Sequence, residues 1–170
     1  MIMSELEHQL LAEMVEWYRL QRHDFFNHWQ VVMGNIQLQK PEKALDYIRE
    51  VIRPQEEQKI GQISVPVLSA ILLSWIIHLR QLNITTSLSF PDAMRLEDFW
   101  QDHWQKEYGE SLFGYTRECL EKVQQYNGLP DLNSEVYLFE ENEGFSCQFI
   151  LEDEEKVLFE KMSYFGIQGE

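Results

Sequence analysis

Cysteine is almost missing from this chain: Cys119 and Cys147 are the only two in 170 residues. They are too few and too far apart for a disulfide framework or a metal site, and each reads as a small buried hydrophobe. Basic side chains are also scarce, 14 Lys and Arg against 29 Asp and Glu for a formal net charge of −15. That balance argues against nucleic acid, whose phosphates need clustered cations. No apolar run approaches the roughly 18–20 residues that span a bilayer. The longest, Val65 to Leu79, is broken by Pro66, Ser69, Ser74 and His78. The amino terminus, Met1-Ile2-Met3-Ser4-Glu5-Leu6-Glu7, has neither the basic nor the apolar region of a signal peptide. The expectation is a cytoplasmic protein with neither membrane nor nucleic acid among its partners. Internal repeats and low-complexity tracts are absent as well.

Material for a core is plentiful, since 44% of residues are hydrophobic and 13% aromatic, which excludes disorder by composition. The length fits one ordinary domain or a helical module joined to a small α/β domain. Charge divides the chain: residues 1–60 hold seven Lys/Arg against ten Asp/Glu, a net of −3, and residues 61–170 seven against nineteen, a net of −12. The acidity sits in the second part.

Ser4-x-x-Glu7 is a capping box, and an apolar pattern through Leu6, Leu10, Met14, Trp17, Phe25, Val32 and Ile36 predicts one helix over residues 4–38. At about 1.5 Å per residue it extends roughly 50 Å, a length typical of bundles. After the Gln39-Lys40-Pro41 turn a second helix begins at Pro41 or Glu42, with Ala44, Leu45, Ile48, Val51 and Ile52 as its stripe and Pro54 as its stop. A two-helix hairpin leaves apolar stripes uncovered. Either a second copy closes a four-helix bundle about a twofold axis, with Leu10 and Val32 in the contact, or the rest of the chain covers them.

The remainder is mixed in type. A helix from Pro66 to about Leu82 leads to a strand from Ile84 to Phe90, a Trp-rich segment from Leu96 to Tyr108, and a helix with Leu112, Tyr115, Cys119, Leu120 and Val123 that stops at Asn127-Gly128. Glu135 to Phe139 and Phe145 to Leu151 alternate around Glu141-Asn142-Glu143-Gly144 and predict a hairpin. Glu154 to Phe165 reads as either helix or strand. The division is a helical hairpin over residues 1–60 and an α/β domain over 61–170, an α+β fold.

Chemistry concentrates at Arg22-His23-Asp24-Phe25-Phe26-Asn27-His28-Trp29-Gln30. A neutral imidazole has a free ring nitrogen lone pair and acts as a nucleophile near neutral pH, and Asp24 is placed to orient the ring or take its proton. Helical geometry puts Arg19, His23, Asn27, Gln30 and Gly34 on one stripe. On spacing alone the competing reading is a solvated histidine on an amphipathic helix. His28 lies about 140° around the helix from His23, near Phe25 and Val32, and reads as packing; His8, His78 and His103 lack supporting neighbours. Trp17, Trp75, Trp100 and Trp104 read as core or interface anchors.

Arg22-His23-Asp24, Asn27 and Gln30, followed by Gly34-Asn35 and Leu38-Gln39-Lys40, resemble the histidine-box helix of the sporulation initiation phosphotransferase B family. Citrate/malate-type sensor kinases carry a similar helix. The resemblance covers about the first 60 residues. It implies a dimeric four-helix bundle followed by a small degenerate histidine-kinase-ATPase-like domain. It also implies His23 as phosphoryl carrier, with Asp24, Asn27 and Arg22 as its catalytic neighbours and Arg19 and Gln30 toward the docked partner.

An ATP site of that kind needs an asparagine and acidic residues on a central helix, an Asp-x-Gly-x-Gly turn and glycine-rich lid segments. Residues 109–127 hold an asparagine only at Asn127, and no Asp-x-Gly-x-Gly occurs. Gly166-Ile167-Gln168-Gly169 is a weak remnant with no helix behind it. The expectation is a histidine phosphotransferase of a phosphorelay, in sporulation-type signalling, that exchanges its phosphoryl group with response-regulator receiver domains. No cofactor is intrinsic to it, and Mg2+ arrives with the regulator. The competing readings are a sensor-kinase fragment with atypical ATP binding and a non-enzymatic dimeric adaptor.

Overall fold

The computed structural model of the chain describes residues 4–51 and 56–166, apart from the Glu57 side chain. Two compact units divide it, Met1–Gln55 and Glu56–Glu170.

The first unit is a helical hairpin of α1 (Glu5–Gln37) and α2 (Pro41–Val51). Ser4 caps α1 as its sequence requires: its hydroxyl accepts from the Glu7 N–H at 3.2 Å while the Glu7 carboxylate accepts from the Ser4 N–H at 2.7 Å. At the other end, Gln39 takes the left-handed conformation with φ 57°. The Lys40 N–H then reaches the Asn35 carbonyl and the Gln39 N–H the Ile36 carbonyl, the paired bonds of a Schellman turn. Pro41 opens α2, where its missing N–H costs nothing. The expected stop at Pro54 lies outside the described residues.

Apolar residues occupy two sides of α1. Val32, with Ala44 of α2, is buried, and the His28 imidazole Nδ1 shares a 2.7 Å hydrogen bond with the Tyr47 hydroxyl across the hairpin. Leu10 is buried as well. Val32 is thus already covered by α2 within the hairpin, which leaves other apolar residues of α1 for a second copy. The exposed set lies one stripe further round, at Leu11, Val15, Tyr18, Phe25, Trp29 and Ile36. A stripe assigned by apolar character alone merges these two sides.

The second unit contains α3 (Glu56–Ile60), α4 (Pro66–Gln81), β1 (Thr85–Ser89), a single 3-10 turn (Asp92–Arg95), α5 (Glu97–His103), α6 (Lys106–Gln124), β2 (Asn133–Glu140), β3 (Phe145–Glu152) and β4 (Val157–Phe165). The unit boundary falls before α3 because α3 packs against α4 and β1. The strands form one sheet in the order β1-β2-β3-β4, with β1 parallel to β2 and the other pairs antiparallel.

Alternation decides which side of the sheet meets the helices. Val136 and Leu138 of β2 and Phe145, Cys147, Phe149 and Leu151 of β3 are buried, as every second residue of a strand points the same way. Against them lie Trp75 of α4 and Tyr115 of α6. The Trp75 ring stands 5.1 Å from Phe149 and 5.8 Å from Tyr115. Tyr115 also donates its hydroxyl to the Lys161 carbonyl at 2.7 Å, pinning α6 to β4. Trp100 donates to the Met94 carbonyl at 2.7 Å and packs with Trp104 around Phe145, so the Trp-rich segment closes one end of this core.

The segment with two sequence readings is a strand, β4. Its register slips opposite Leu151 and Glu152, inserting an extra residue between Val157 and Phe159; that bulge breaks the period of two on which the strand reading rests. At the opposite edge, β1 is closed by side chains. The Leu88 N–H donates to the Glu56 carboxylate at 2.8 Å, and the Lys59 ammonium donates to the Leu88 carbonyl at 3.1 Å. This substitutes for a neighbouring strand at that residue.

Candidate functional site

α1 carries all six residues of the candidate site, so the helix fixes their spacing. From Arg19 to His23 and from His23 to Asn27 is one turn, and Gln30 and Gly34 continue along the same side. His23 is open to solvent, with its side chain 75% exposed and that of Asp24 70%. An imidazole so placed is reachable by a protein partner, and helix packing does not consume it.

The ring is held at Nδ1. Asn27 Nδ2 stands 3.2 Å from it, one turn on, and Asp24 Oδ1 stands 3.4 Å away. Both contacts fall on the same nitrogen, Nδ1, and neither uses Nε2. The tautomer then determines the chemistry. When Nδ1 carries the proton, it donates to the Asp24 carboxylate and Nε2 keeps an in-plane lone pair. In that state the Asn27 amide has to turn over from the nitrogen-facing contact seen here to present its oxygen to Nδ1–H. When the proton sits on Nε2, the Asn27 amide donates to Nδ1 and Nε2 is no nucleophile. A neighbouring carboxylate favours the first state.

The two arginines are occupied elsewhere. Arg19 pairs with Glu16 at 3.3 Å, and the Arg22 guanidinium lies 5.5 Å from the centre of the Phe26 ring. Both pairs are on the surface, where such contacts are worth little and yield to a better partner. His28, by contrast, faces α2 through Tyr47. The sequence separates the two histidines by angle, but it does not reveal Tyr47 as the partner.

Residues 3–63 match the family model described as the sensor kinase SpoOB-type, alpha-helical domain. This segment is a SpoOB-type helical domain. The match covers α1, α2 and α3, about a third of the chain, and likens that segment to a sensor-kinase helical domain. No curated protein matches the chain. In the second unit, a cavity of about 560 Å3 is lined by Asn83, Thr85, Asn127, Asp131 and Glu154, among others, with no Lys or Arg in its wall. Among the described residues, no helix is long and apolar enough to cross a membrane.

Proposed function

We propose that this protein is a histidine phosphotransferase that carries a phosphoryl group between response-regulator aspartates on His23. The observation that carries the reading is the exposed His23 imidazole, held at Nδ1 by Asp24 and Asn27 in contacts that leave Nε2 unused. The Nε2 lone pair attacks the phosphorus of an aspartyl phosphate on the donor regulator. The P–N bond forms as the P–O bond to aspartate breaks, and that carboxylate leaves. Asp24 holds the Nδ1 proton and offsets the positive charge that develops on the ring. The reverse displacement then delivers the group to a second regulator. Such transfer asks mainly for in-line placement and charge stabilisation. Arg22 and Arg19 are surface cations within reach of a docked phosphoryl group once they leave Phe26 and Glu16. Asn27 steadies the ring, and Gln30 belongs to the docking surface.

The phosphoryl group comes from another protein, and the Mg2+ from that protein's acidic pocket. The missing Asp-x-Gly-x-Gly turn and the net −12 of residues 61–170 support this. A dimer is part of the proposal. The apolar stripe through Leu11, Tyr18, Phe25, Trp29 and Ile36 is exposed on a single copy, and a second hairpin would bury it in a four-helix bundle.

Incubation with a phosphorylated response regulator gives an acid-labile, base-stable label on the protein, and His23→Ala abolishes it. Label that survives in the variant removes His23 from the reaction. Absence of label with every regulator tested favours a non-enzymatic adaptor.

A further inference from the structure

The sheet of the second unit is covered by helices on one side only. Its other side brings Glu135 of β2, Ile150 of β3 and Glu160 of β4 into one row across three strands. The next row holds Tyr137, Gln148 and Met162, and beyond it stand Phe139 and Tyr164. Met162 is 55% exposed and Tyr164 40%, and none of these positions is Lys or Arg. Tyr137, Phe139, Met162 and Tyr164 on the two outer strands, Ile150 on the central one, and the paired carboxylates of the first row form a partly apolar, anionic surface open to solvent.

The carboxylates are held in place. The Tyr137 hydroxyl donates to Glu135 at 2.9 Å, and the Gln148 amide donates to Glu160 at 2.5 Å. Each contact uses part of one carboxylate and leaves acceptor capacity outward. With neighbouring strands about 4.8 Å apart, the two carboxylates stand roughly 10 Å apart across Ile150.

We propose that this face docks a cationic amphipathic helix of another protein. Its apolar stripe would lie across the strands on Tyr137, Ile150 and Met162, and Lys or Arg side chains along one of its edges would reach Glu135 and Glu160. Charge selects the occupant. A second copy of this face would set Glu135 and Glu160 against like charges, and nucleic acid or an anionic bilayer is repelled in the same way. A helix laid on the open side gives the sheet a second covering layer.

The test uses the full chain and a synthetic 15-residue Leu/Lys peptide with helical periodicity, measured by calorimetry. A scrambled peptide of the same composition and a Leu/Glu version serve as comparisons. The periodic cationic peptide binds, the scrambled one at least tenfold more weakly, and the Leu/Glu one not at all. Glu135→Gln with Glu160→Gln weakens binding at least tenfold, whereas Glu110→Gln with Glu121→Gln, on α6, leaves it unchanged. On the wild-type protein, bound peptide slows amide hydrogen exchange in β2, β3 and β4. Equal binding of scrambled and periodic peptides, equal losses in both pairs of variants, or protection confined to other elements overturns the proposal. So does self-association of the wild type that Met162→Ser relieves, which would assign the face to a second copy.

Discussion

Nδ1 of His23 is the atom on which the proposed chemistry turns, because Asp24 and Asn27 both address it. Cys119 and Cys147 behave in the opposite sense to reactive thiols. Burial pushes the Cys119 thiol from 9.0 up to about 12, and burial beside Cys119 raises Cys147 as well. Between pH 9 and 12 the unfolded chain gives up a proton that folded Cys119 keeps. Stability is therefore intact below pH 9 and declines above it, with each tenfold difference in acidity worth about 1.4 kcal/mol. Urea titrations at pH 8 and pH 10 show a lower midpoint at the higher pH, and the double variant Cys119→Ala, Cys147→Ala shows a smaller drop. An equal drop in both assigns the effect to other groups.

Within α1, Gly34 is the one residue whose presence costs the helix without an evident return in packing. A Cβ built on it meets nothing within 4 Å. Gly34→Ala is expected to stabilise the hairpin by about 0.5–1 kcal/mol, since glycine loses the most backbone freedom on folding. Chemical denaturation followed by circular dichroism reads this, and a destabilised variant would mean that the site is more crowded than its geometry indicates. Gly144 is the contrasting case, at φ 83° in the β2–β3 turn and tight against the Phe165 carbonyl. Element boundaries followed local chemistry closely wherever a cap or a proline set them. The Ser4 box and Pro41 and Pro66 at helix starts are legible because each satisfies or removes a particular backbone donor. The end of α6 is less so. It closes at Gln124, and Gly128 takes its left-handed turn four residues later, outside the helix.

For the whole molecule, the exposed stripe of α1 makes assembly the decisive question. Light scattering after size exclusion is expected to give a dimer, and Phe25→Asp with Trp29→Asp a monomer whose hairpin remains helical. Those positions are more informative than Val32, because a charge at a position buried within the hairpin tests folding rather than assembly. A monomeric wild type across micromolar concentrations would remove the bundle from the proposal. The acidic second unit then carries its own surface question at Glu135, Ile150 and Glu160, independent of the hairpin.

The sequence by itself determined the helical hairpin, the placement of His23, Asp24 and Asn27 on a shared surface, and the separation of His23 from His28. All of these follow from the 100° step of one helix and from local capping, and need no distant residue. Only the tertiary structure decided which apolar side of α1 is already buried, that residues 157–165 form an edge strand with a bulge, and that α3 closes the β1 edge through Glu56 and Lys59. Those outcomes depend on pairings between residues far apart in the chain, and periodicity along a single segment contains no information about its partner. The open face of the sheet belongs to the same class. Glu135, Ile150 and Glu160 become neighbours only when three strands fall into register.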